Sequence, residues 1–120
     1  MRSKQEIENR YKLLRSGESL LKDTPLPLRN IDNLWQNLSD IQRTTVNATV
    51  LRGVLGIDSE GNATRPMLDE ANLRVQLKEL TGAIEEAQGR ISEGDSKLRF
   101  SINITSLQYA REEILWVLGE

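Results

Sequence analysis

The sequence predicts an all-α protein of four helices, arranged as two antiparallel αα-hairpins in a coiled-coil-like bundle. Three observations predict it. Leucine supplies 18 of the 120 residues, while Phe, Tyr and Trp together supply five. That balance favours helix over strand. Apolar residues recur in steps of three and four, the period of one helix face. Breaks rich in Gly, Pro, Asn and Asp then divide the periodic segments.

The first helix opens on "SKQE", where Ser3 as N-cap and Glu6 three residues later form a capping box. Ile7, Tyr11 and Leu14 share one face, followed by Leu20 and Leu21, with Gly17 a weak point. Pro25 and Pro27 in "DTPLPLRN" stop it. The second helix, about 29–56, carries Ile31, Leu34, Leu38, Ile41, Thr45, Ala48, Leu51 and Leu55 as a heptad-like seam. Thr and Asn weaken that seam in "RTTVNATV", and Gly56 is a natural C-cap.

A linker over 57–64 follows, around Gly61 and Asn62. Thr64 is the expected N-cap of the third helix, over 65–92, with Pro66 in its first turn. Leu73, Leu77, Leu80, Ile84, Ala87 and Ile91 form the cleanest seam in the chain; Gly82 and Gly89 within that helix suggest close approach of a neighbour. "SEGDS" is a turn short enough to force antiparallel neighbours. The fourth helix, 96–118, carries Leu98, Phe100, Ile104, Leu107, Ile114, Trp116, Val117 and Leu118. Each of the three longer helices spans ~35–40 Å at ~1.5 Å per residue. The expected organisation is one domain: hairpin 1 over 3–56, the linker, and hairpin 2 over 65–119.

The ends of the two hairpins resemble each other. Val54-Leu55-Gly56 aligns with Val117-Leu118-Gly119 at an offset of 63, and Leu51 then meets Ile114. Either an internal duplication or the common coincidence of Leu, Val and Gly at helix ends accounts for this. The apolar tail "ILWVLGE" needs a cover. The start of helix 3 (Met67, Leu68) or of helix 1 (Ile7) provides one within the chain. A second chain provides the other, because narrow apolar stripes are typical of coiled coils completed by a partner. We therefore expect a homodimer.

Composition excludes several chemistries. The chain has no histidine and no cysteine, so no imidazole base, thiol nucleophile, disulfide or Cys/His zinc site is available. The di-iron motif of helical bundles also needs histidine. Glu85-Glu86 and Glu112-Glu113 are adjacent pairs about 100° apart on their helices, and read as exposed charge. "DSEGN" at 58–62 lacks the ligand ladder of a calcium loop, and its twelfth position is Asp69. No phosphate-cradling glycine motif occurs. The N-x-[ST] triplets at Asn37, Asn47, Asn62 and Asn103 read as chance. No metal, cofactor or catalytic residue is expected.

The net charge of −2 gives no global attraction to nucleic acid or anionic membrane. Residues 1–30 alone are basic, with seven cations against four acids. That keeps a nucleic-acid-binding accessory protein as the alternative reading. The opening "MRSKQEIENR" has no apolar h-region, so no secretion signal is expected. The expected compartment is the cytoplasm, or a host's cytoplasm for a viral gene. The sequence thus points to a non-enzymatic protein–protein interaction module, an adaptor, chaperone, inhibitor or small subunit. Candidate partner or oligomer residues are Ile7, Tyr11, Leu14, Trp35, Ile114, Trp116 and Leu118. The two tryptophans stand out, because Trp anchors interfaces or simply fills cores.

Overall fold

The computed structural model describes the backbone outside residues 24–30 and 93–96, and side chains outside 17–39 and 91–103. Among the described residues the chain forms α1 (Lys4–Asp23), α2 (Ile31–Leu55), α3 (Glu70–Ser92) and α4 (Lys97–Leu118), with no strand. The all-α, four-helix architecture predicted from the leucine spacing is the observed one. None of the described helices is long and apolar enough to cross a membrane. Trp35, the two hairpin turns and the seam residues Ile31, Leu34, Leu38, Ile91, Leu98 and Phe100 lie outside the described side chains.

The closest packing is α3 on α4, α1 on α2, and α2 on α4. Gln42 donates from Nε2 to Ser106 Oγ at 2.8 Å, and the Arg43 guanidinium lies over the Tyr109 ring at 5.6 Å. The C-terminal turns of α2 and α4 share one core. The two helices therefore run parallel. They form the short diagonal of a flattened bundle, with α1 and α3 at the outer corners. The molecule measures 41 × 39 × 24 Å, so it is about two helix diameters thick.

The core sits where all four helices converge. Ile7 and Tyr11 of α1, Ala48, Leu51, Val54 and Leu55 of α2, Leu73 of α3, and Ile114, Val117 and Leu118 of α4 form one buried cluster. A smaller cluster of Ile84, Ala87 and Ile104 holds α3 to α4 farther along. Asn47 is also buried, and its Oδ1 has no hydrogen-bond partner.

Among the described residues, the ends of the two hairpins repeat each other. Leu51, Val54 and Leu55 are buried, as are Ile114, Val117 and Leu118, each 63 positions later. Gly56 and Gly119 both take a left-handed φ, +74° and +83°. Ile57 N donates to Arg52 O at 3.1 Å, and Glu120 N donates to Leu115 O at 2.9 Å. These are the bonds of a Schellman helix end, and they satisfy carbonyls that would otherwise be orphaned. The incoming chain repeats at an offset of 66: Arg2 N donates to Val117 O at 2.7 Å, and Leu68 N to Val54 O at 2.9 Å. Ser3 and Asp69 then open α1 and α3 at the same offset.

Gly56 and Gly119 separate left-handed strain from packing. A Cβ on Gly56 would lie 2.3 Å from Arg65 O, whereas one on Gly119 meets nothing closer than Met1 N at 4.0 Å. Gly119→Ala should cost about the ~1–2 kcal/mol of left-handed strain. Gly56→Ala should cost clearly more, because backbone must move as well. Urea denaturation of the two variants checks the ordering.

Two expectations need correction. α3 begins at Glu70, and its N-cap is Asp69, whose Oδ1 accepts from Asn72 N at 2.9 Å. Thr64 instead closes α2: its N and Oγ1 donate to Gly56 O at 2.7 and 3.0 Å. Pro66 lies in the connecting loop. Second, Gly82 and Gly89 mark no close approach, because a Cβ at either meets nothing within 4 Å. Gly82→Ala should therefore stabilise the protein by ~1 kcal/mol through helix propensity, read as a rise in the urea midpoint.

The Ser3 capping box forms as expected, with Glu6 N donating to Ser3 Oγ at 3.2 Å and Ser3 N to Glu6 Oε1 at 3.3 Å. The hydrogen bond from Ser3 N is the main cause holding the Glu6 carboxyl below its ordinary pKa. The loop at 58–62 folds around Asp58, whose Oδ1 accepts from Glu60 N and Asn62 N, both at 2.9 Å. Led by the Asn62 bond, these contacts also lower the Asp58 pKa.

Candidate interaction site

Trp116 is held at the edge of the core by α1. The Arg2 and Arg10 guanidiniums lie over its ring at 4.4 and 4.6 Å. Arg2 also donates from Nε to Trp116 O at 2.7 Å, a carbonyl of the last helical turn. A cation there complements the negative end of the helix dipole. Arg10 makes a two-pronged pair with Glu113: Nε bonds to Oε1, and Nη2 to Oε2 at 2.9 Å. Glu113 is 2% exposed. The hydrogen bond to Glu113 raises the Arg10 pKa above its ordinary value, so the guanidinium stays charged throughout the working range.

The tail is therefore covered within the chain. Ile7, Tyr11, Ile114 and Leu118 lie inside the shared core, and Leu14 and Trp116 pack against it half-buried. Arg74 of α3 adds a tie, pairing with both Glu70 at 3.0 Å and Glu120 at 2.5 Å. Trp35 lies outside the described side chains. Glu112 is exposed as expected, but Glu113 is not, because α1 lies against that side of α4. The partners of Trp116, Arg2 and Arg10, carried no signal in the sequence beyond being cations in a basic segment.

Two concave surfaces flank the core. One, roughly 500 Å³, lies between α2 and α3 over a floor of Ala110 and Ile114 from α4. Thr49, Val50 and Gly53 form one wall; Gln76, Glu79 and Leu80 form the other. The second, roughly 380 Å³, lies between α1 and the connecting loop and includes Lys4, Lys12, Arg65 and Tyr11. Its cations are partly engaged: Lys4 lies 4.0 Å from Glu8, and Arg65 donates to the Gly53 and Pro66 carbonyls. Arg2 and Arg10 are committed to Trp116 and their acidic partners, while Lys12 and Arg15 of the same segment stay exposed.

Among the described residues, no three acidic side chains converge in a way that could hold a metal ion. Compared with protein-family models, curated proteins and solved structures, the chain matches none.

Proposed function

We propose that this chain is a non-enzymatic protein–protein interaction module that works by helix-face packing. The observation that supports this reading most is the groove between α2 and α3. Its lining is largely apolar and lies over the buried core residue Ile114. Concave apolar surface with a few polar groups at the rim is what an amphipathic partner helix needs. The sequence adds support, since a chain without histidine or cysteine lacks the commonest catalytic groups.

The test is site-directed photo-crosslinking in the native host. A photoreactive residue at Gln76, on the groove wall, should give one discrete crosslinked partner, and one at Lys12, outside it, should not. Equal crosslinking from both positions, or none from either, counts against the reading. The homodimer expected from the narrow stripes would use exposed apolar residues away from this groove, such as Leu13 and Val75. Light scattering should then give roughly 27 kDa, twice the 13.6 kDa chain mass.

A further inference from the structure

The repeat relating the two hairpins also relates two grooves. At an offset of 63 in α2 and α4, and of 66 in α1 and α3, the groove between α2 and α3 corresponds to the contact between α4 and α1. Trp116 corresponds to Gly53, Glu113 to Val50, and Arg10 to Gln76. The floor residue Ile114 corresponds to Leu51, and both are buried. In one half of the molecule an indole and an ion pair fill the space. In the other half the equivalent residues are a glycine, a valine and a glutamine, and the groove is open. A Cβ on Gly53 meets nothing within 4 Å. Among the lining residues Glu79 is the single charge, and it has no ion-pair partner among the described residues.

We infer that this groove receives an aromatic side chain, tryptophan foremost, from a partner helix that carries a lysine or arginine beside it. The indole would occupy the space above Gly53 that Trp116 occupies in the other half. The partner's cation would meet Glu79, the complementary charge at the rim. This inference rests on the reading of the chain as a protein-binding module, and names where the partner docks and what chemistry it presents.

The whole chain, labelled with nitrogen-15, is titrated with tryptamine, which joins an indole to an ammonium group. Amide shifts should concentrate at Thr49, Gly53, Gln76 and Ala83 and saturate with a dissociation constant of about millimolar. Glu79→Gln should weaken tryptamine roughly threefold and leave neutral 3-methylindole unchanged. Gly53→Trp, which fills the groove from within, should weaken both at least about tenfold; Gly53→Leu serves the same purpose if the first variant fails to fold. Shifts centred elsewhere, equal shifts with hexylamine, or binding unchanged by a filled groove would each overturn the inference. So would concentration-dependent shifts of the same amides without any probe, which would make a second copy the occupant. The titration needs no partner. An indole-binding groove in a protein that crosslinks to nothing would sink only the proposed function; a captured partner and a groove that refuses indole would sink only this.

Discussion

Deleting residues 114–120 is expected to abolish cooperative unfolding. The seven residues carry Ile114, Val117 and Leu118, at most 4% exposed, and Trp116 beside them. Large-to-small changes at such positions cost about 2–5 kcal/mol each. A domain of this size has only ~5–15 kcal/mol in total. The deletion also removes Glu113's neighbours, the Schellman end at Gly119 and the acceptor for Arg2. Circular dichroism on heating should show a broad, low-temperature transition where the full chain shows a sigmoid. Ile114→Ala alone should retain the sigmoid but lose ~3 kcal/mol. An unchanged melting curve for the deletion would mean that the tail does not belong to the core.

The second large effect is Arg10→Ala. It strips the partner from a carboxylate that is 2% exposed, and it takes one guanidinium off the Trp116 ring. Breaking a buried pair by removing one member costs about 3–5 kcal/mol, because the remaining charge stays desolvated. Arg10 is itself 33% exposed, so water can reach the site and the lower end applies. A loss of ~3 kcal/mol should lower the melting temperature by roughly 10 °C. Replacing both members, Arg10→Met with Glu113→Leu, should recover most of it, to within about 1 kcal/mol. If the double variant is as unstable as the single one, the pair itself stabilises the fold, and the desolvation argument fails. Chemical denaturation of the parent chain, Arg10→Met, Glu113→Leu and the double variant completes the cycle.

Much of this architecture was legible in the leucine spacing. Ala48, Leu51 and Leu55 of the second seam, and Leu73, Ile84 and Ala87 of the third, are buried as the 3–4 step requires. Gly56 and Gly119 cap their helices because a left-handed residue must follow the last turn, and glycine takes that conformation without penalty. What periodicity cannot say is which helix lies opposite which. It could not reveal that α2 and α4 run parallel and touch, since that depends on the pairing at Gln42 and Ser106. Nor could it reveal Glu113, because a buried carboxylate is legible only through the cation facing it, 103 positions away. Leu77 and Leu80 belong to the cleanest stripe and still stay half-exposed. Leu80 lines the groove that Gly53 leaves open.

Thr64 failed as a cap for a related reason. Two capping residues, Thr64 and Asp69, precede the third helix, and the proline between them favours the first on sequence grounds alone. The left-handed turn at Gly56 presents its carbonyl to Thr64, which is then already bonded. Asp69, just beyond the loop's last tie to α2 at Leu68, is free to accept from Asn72. Tertiary contact with the preceding helix decided between two locally equivalent choices.

The groove, the enclosed tail and the repeat all depend on α2 and α4 lying parallel and in contact. A short bismaleimide tests this most directly, since the chain has no native cysteine. Val50→Cys with Ala110→Cys, which line the same groove, should crosslink efficiently within one chain, in the monomer band. Val50→Cys with Lys97→Cys, near opposite ends of α2 and α4, should not. Linkage of the second pair and not the first would put the two helices antiparallel, and would contradict the account.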